Sequence, residues 1–251
     1  MFNLVACFAS VAQDAVLTNL TPVTDALVTV QNGRFIFPTD VQIGAIQGLI
    51  VDGSRMRINT PQFRSVALPE VYPVKITAEQ GTNPVMVGPI WDTLRIPKND
   101  EFGFDVSRAG AGAGDCFAGL WYAPRKPIAP QGPVITMRAT ATIVLTAGTW
   151  VAGALTFDQS LPYGKYAVVG MAAICADAVF ARLAFPGDTQ WRPGVPAVEA
   201  YGSYPNPQMF RYGEFGLFGV FDSTAQPLVE VLGHTAGSEA GVYLLDLIKI
   251  G

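Results

Sequence analysis

Charge is scarce in this chain. Lys, Arg, Asp and Glu together make up 14% of its 251 residues, against roughly 25% in ordinary soluble domains. An apolar content of 50% excludes disorder, and so few charges leave a monomer to cover its surface with neutral groups. Much of that surface is therefore expected to be buried against other chains. No basic residue precedes Arg34 and the formal net charge is −4. The opening segment thus lacks the basic arm that would neutralise packaged nucleic acid, and direct nucleic-acid binding is not expected.

The residues of catalysis and metal binding are equally sparse. His234 is the single histidine; it lies in the small-residue stretch Gly233–Ser238, with Ser238 and Glu239 nearby. Loop neighbours seldom reach triad geometry, and no nucleophile elbow is present. An exposed loop histidine is the expectation. Cys7, Cys116 and Cys175 are the three cysteines, widely spaced and set among apolar or small residues, which predicts buried thiols and neither a disulfide framework nor a metal site. No CxxC or HxxxH pair exists for zinc. Asp100, Glu101 and Asp105 could offer oxygens to calcium, but without an EF-hand pattern they read as a solvated turn beside a strand. The run Gly110–Asp115 has neither the spacing nor the following helix of a phosphate-cradling loop. No enzyme activity and no cofactor are expected.

Long apolar runs are absent too, since none approaches the roughly 18 residues needed to cross a bilayer as a helix. Met1–Ala12 ends in a sequence that could pass for a signal-peptidase site, yet it lacks a positive flank and its apolar core is short, so cleavage is not expected.

What the chain does have is proline and glycine, 19 and 26 residues, punctuating short apolar runs. Prolines at 124, 127, 130 and 133 recur at the three-residue repeat of polyproline II. This marks residues 123–134 as a linker between an N-terminal domain, 1–122 with an opening segment 1–20, and a C-terminal domain, 135–251. Beyond the linker, Ile135–Ala147, Trp150–Phe157, Lys165–Ala173, Val179–Phe185, Phe215–Phe221, Leu228–Leu232 and Val242–Ile250 read as strands separated by turn residues. Arg192–Pro196 reads as a loop. The first half has the same texture, with strands predicted at Gln42–Val51, Arg64–Leu68, Val71–Ile76, Val85–Val87, Thr93–Ile96, Glu101–Val106 and Cys116–Tyr122. Asn32-Gly33 is placed for a tight turn into Arg34–Phe37. Leu4–Val16 is open between helix and strand, because its apolar residues also fit a 3.6-residue period. Each half closes as strand, small-residue loop and strongly apolar strand, a weak internal duplication. The fold class is all-β, as two tandem antiparallel sandwiches.

Two stretches carry a family resemblance. Ser54-Arg55-Met56-Arg57-Ile58-Asn59-Thr60-Pro61-Gln62-Phe63-Arg64 with Leu68–Val74 is the first. Leu161–Met171, Ala181-Arg182-Leu183, Arg192-Pro193-Gly194 and Gly213–Phe218 make up the second. In short phrases and texture they resemble the major capsid proteins of small icosahedral bacterial viruses of the double jelly-roll lineage. The resemblance implies two eight-stranded jelly rolls joined by the linker, three copies forming a pseudo-hexameric homotrimer, and self-assembly of trimers into the capsid of a virion. It also implies other capsid or vertex proteins as partners, an internal lipid membrane beneath many such shells, and synthesis in the host cytoplasm. For two jelly rolls the chain is compact, so long loops or towers are not expected. Subunit contact is expected at Phe2, Leu4 and Phe8 of the opening segment and at Tyr201, Tyr204, Phe210 and Tyr212 of an aromatic loop. Two other readings stay open from the residues: a trimeric β-sandwich receptor- or sugar-binding protein, with exposed rings in a concave site, and a polysaccharide hydrolase on a β scaffold, with two carboxylates in a cleft.

Overall fold

The computed structural model describes residues 1–50, 53–61, 70–71, 86–108, 111–198 and 208–251. It divides the chain into two units, one of Val5–Arg125 and one of Met1–Leu4 with Lys126–Gly251. The predicted strands at Arg64–Leu68 and most of Val71–Ile76 lie outside the described residues.

The first unit contains β1 (Asn3–Val11), which begins in the residues grouped with the other unit, then β2 (Asp14–Asn19), β3 (Thr21–Pro22), β4 (Thr29–Gln31), β5 (Arg34–Ile36) and β6 (Val41–Ile50). It continues with β7 (Gly53–Asn59), β8 (Glu70–Val71), β9 (Met86–Val87), β10 (Arg95–Ile96), β11 (Glu101–Arg108) and β12 (Gly114–Ala123). One sheet runs β10-β6-β12-β1-β3, with β9 also on β6; the other runs β4-β5-β11-β7-β8, with β2 also on β11. Leaving aside the short β3, the β4–β5 hairpin and the two-residue β10, the remaining eight strands follow a fixed rule. The first, last, third and sixth along the chain share one sheet, and the second, seventh, fourth and fifth share the other. That order is two interlocked Greek keys, a jelly roll.

Residues 4–16 are strands and not helix. Most of β1 is buried on both faces, so apolar side chains occupy odd and even positions alike and mimic a helical period. Asn32 and Gly33 both take positive φ, 52° and 71°, at the turn that pairs Gln31 with Arg34, as a two-residue hairpin loop requires. Between the sheets lie Phe35, Phe37, Phe102, Phe104, Ile46 and Leu120.

The second unit contains β13 (Ile135–Leu145), β14 (Trp150–Ala154), β15 (Thr156–Phe157), β16 (Lys165–Ile174) and β17 (Ala178–Ala184). After these come β18 (Gly194–Val198), β19 (Gly219–Asp222), β20 (Leu228–Gly233) and β21 (Gly237–Lys249). Its order β14-β20-β17-β18-β16-β21-β13, with β19 on β16, repeats the same rule once the small β15 is set aside. A short parallel contact of Ala173 and Ile174 with Ala197 and Val198 joins the two sheets at one corner. In β13 the buried Ala139, Ala141, Ile143 and Leu145 alternate with outward residues, the period-two pattern of a half-buried strand. On the neighbouring β21, Tyr243 opposite Ala139, Leu245 opposite Met137 and Leu247 opposite Ile135 are fully buried.

Two readings from sequence change here. Arg192–Pro196, expected as loop, runs into a strand at Gly194–Val198, with Pro196 facing Phe180; the strand has an antiparallel partner on one side only, so a missing N–H is tolerated. Phe215–Phe218, expected as strand, is a turn, and only Gly219–Asp222 joins the sheet. The segments that suggested duplication are β11–β12 and β20–β21, the last two strands of each roll.

Candidate functional site

In β21, Asp246 alternates out of the second unit's interior, yet it is 0% exposed. A segment after β18 covers it, and the absence of a side chain at Gly170 makes the room. Opposite Asp246 lies a bulge of β16 between Val168 and Gly170, and a Cβ on Gly170 would collide with the Asp246 carboxylate and with the backbone of Arg211 and Tyr212. Into that space Arg211 donates from Nε to Asp246 Oδ2 at 2.6 Å and from Nη2 to Oδ1 at 2.8 Å. Thr136 Oγ1 donates to Oδ1 at 2.6 Å, and the Tyr212 N–H donates to Oδ2 at 3.0 Å. Burial alone would raise the Asp246 pKa, but the Arg211, Thr136 and Tyr212 hydrogen bonds outweigh it and hold the carboxyl below its ordinary value. In turn the Asp246 hydrogen bonds hold the Arg211 pKa above its own.

This ion pair fixes an extended turn on the outer sheet face. Gly213 N–H donates to Val169 O at 2.6 Å and Phe218 N–H to Val168 O at 2.9 Å. Phe210 packs on Phe215, ring centroids 4.6 Å apart. Ala129 and Leu217 close over Ala167, Val169 and Ile248. Among the described residues of the turn, Tyr212 is the large apolar side chain left outside, 59% exposed, with the Arg211 guanidinium 4.7 Å from its ring centre. Its φ is +54°, a left-handed conformation that costs a residue with a Cβ about 1–2 kcal/mol. Asn32 and Asn99 also have positive φ, but asparagine tolerates it. A strained tyrosine, pinned from below and presented to solvent, is suited to contact with another surface.

The other expected contact residues fall differently. Phe2, Leu4 and Phe210 are buried within the chain, at 0, 0 and 1% exposure. Phe8 is half-buried and packs on Phe117 at 4.7 Å. Tyr201 and Tyr204 lie outside the described residues. On the outward face of β13 and β21, away from Asp246, lie the neutral Thr142, Val144, Ser238 and Ala240, and the one charged side chain of β13, Arg138, is paired with Asp158. Val144 is 70% exposed. Sequence alternation marked that face, but nothing local marked Asp246 or Gly170, which act through residues far off in the chain.

The remaining chemistry is committed to structure. His234 is half-buried after β20, its N–H donating to Asp177 O at 3.0 Å. Glu239 Oε1 accepts the Ala176 N–H at 2.9 Å. Asp105 is not solvated as expected but buried, with Arg57 Nε at 3.1 Å and Asn59 Nδ2 at 3.0 Å on one oxygen; Glu101 pairs with Arg34. Gly112 O accepts from Arg108 Nη1 at 2.6 Å, which ties the glycine loop down. All three cysteines are free and buried. Burial pushes Cys116 and Cys175 up to about 12 and Cys7 well above its ordinary value, so they are inert thiols. Among the described residues no three His, Cys, Asp or Glu side chains gather as a metal site, and no helix is long and apolar enough to cross a membrane.

No family model and no curated protein matches the chain. Among solved structures it is similar to the major capsid protein P2 from bacteriophage PM2, at 12% identity over 100% of this chain and 98% of that one, with a TM-score of 0.27. It is also similar to the STIV MCP, at 11% identity over 97% of each chain, with a TM-score of 0.27. The strand pairings of the chain itself establish its fold: two jelly rolls in tandem.

Proposed function

We propose that this chain is a viral major capsid protein, whose work is to associate with copies of itself into the shell of a virion. The observation that carries this reading is the repeated jelly roll, with one strand order used twice in one chain. A chain with two equivalent sandwiches supplies six from three copies, so a homotrimer can present a pseudo-hexagonal outline that tiles a closed icosahedral surface. The low charge and the neutral outer face of β13 and β21 support contacts between copies that need little desolvation of ions. Tyr212 is the residue proposed to make such a contact in the second unit, with Phe8 in the first.

The finer parts of the reading follow from it. Residues 123–134 are the linker between the rolls, and other capsid or vertex proteins, or an internal lipid membrane, are the further neighbours of a shell. Assembly takes place after synthesis in the host cytoplasm, and the role needs no catalytic group or cofactor. Negative-stain microscopy with analytical ultracentrifugation tests the proposal. Trimers and curved sheets or shells are expected; a chain that stays monomeric at high concentration overturns it.

A further inference from the structure

We infer that the second unit carries a peptide-binding groove that reads an extended aromatic-Asn pair and holds the main chain of the residue after it, filled here by residues 2–4 of the same chain. The groove belongs wholly to residues 126–251, whose jelly roll is topologically complete without its occupant. Phe2 stands edge-on to both Phe215 and Phe218, with ring centroids 4.8 Å apart in each case. Asn3 spends both ends of its carboxamide on backbone: Oδ1 accepts the Arg192 N–H at 2.6 Å, and Nδ2 donates to Gln190 O at 3.1 Å. Leu4 is held through its main chain, N–H to Arg192 O at 2.9 Å and carbonyl to Arg182 Nη1 at 3.1 Å.

Each position is thus read in a different way. An aromatic cage selects position 2, a donor-acceptor pair that only a carboxamide satisfies selects position 3, and position 4 is bound as an added strand would be. The reading groups are themselves fixed. Arg182 Nε donates to Glu230 Oε2 at 2.6 Å and its guanidinium lies 4.0 Å from the Trp150 ring centre, while Arg192 Nη1 donates to Asp188 O at 2.8 Å and Trp191 O at 2.9 Å. A groove set in advance loses little entropy on filling. Residues 2–4 are therefore a ligand of the second unit that can leave and be replaced without unfolding its roll.

Hydrogen exchange on the full chain and peptide binding to a chain begun at Val5 test this. In Phe2→Ala, the amides of Leu4 and Arg192 are expected to exchange about tenfold faster or more, the scale of a lost packed ring or hydrogen bond, while those of β21 keep their rates. The shortened chain is expected to bind a labelled Met-Phe-Asn-Leu peptide, about tenfold more weakly with alanine for the asparagine, and the intact chain not to bind it at all. Acceleration of β21 together with Leu4 and Arg192, or no acceleration, overturns the inference. So does a folded shortened chain that ignores the peptide or binds both peptides alike. Should the shortened chain fail to fold, the exchange result on the full chain decides.

Discussion

Tyr212 and Asp246 divide one task between an exposed and a buried residue. Tyr212→Gly removes the ring but accepts φ of +54° without a steric penalty, so relief of strain opposes loss of the Arg211 contact. Stability of the isolated chain, read by denaturant midpoint, is expected to change by less than about 1 kcal/mol, while association measured by sedimentation weakens. Asp246→Asn leaves the Arg211 guanidinium in its seat without a countercharge, and removing one member of a buried pair costs about 3–5 kcal/mol. Chemical denaturation with exchange at residues 208–218 is the check. The pH dependence has a definite sign. Because the folded Asp246 pKa lies below its ordinary value, the unfolded chain takes up the proton first as pH falls. This contribution is present above about pH 4 and is lost as pH drops through the depressed folded value; an acid titration followed by residue-resolved exchange of the Gly213 and Phe218 amides is expected to show the turn releasing there.

At the scale of elements, the bulge in β16 decides where the turn after β18 docks. Gly170→Ala places a methyl against the Asp246 carboxylate and the Arg211–Tyr212 backbone, a clash between fixed parts that is expected to cost about 1–3 kcal/mol. Exchange at Gly213 and Phe218, whose amides donate to Val169 and Val168, should accelerate before that of β13 and β21. Sequence made the alternation of β13 readable, and the Asn32-Gly33 turn. It missed β18, because Arg192–Pro196 is rich in turn-forming residues and only the single antiparallel neighbour of Gly194–Val198 makes a proline there harmless. It also left Leu4–Val16 undecided, since a strand buried on both faces has no period of its own.

For the whole molecule, the neutral outer face of β13 and β21 is the surface on which the shell proposal can fail. Val144→Glu adds a charge at a site 70% exposed, so monomer stability is expected to stay within about 0.5 kcal/mol. Assembly, followed by light scattering, is expected to fall, because burying an unpaired carboxylate between copies is costly. Unchanged assembly would remove this face from the proposed contact.

Composition and patterning were enough, without coordinates, to say that this is an all-β chain of short strands with a surface poor in charge, because those properties depend on side-chain chemistry and on neighbours in sequence. Pairing was beyond them. Which strand lies beside which, that residues 1–4 group with residues 126–251, and that Phe2 and Phe210 face inward while Tyr212 faces out, are settled by contacts between residues far apart in the chain. Only folding brings Asp246 under Arg211, and no local pattern records a meeting of that kind.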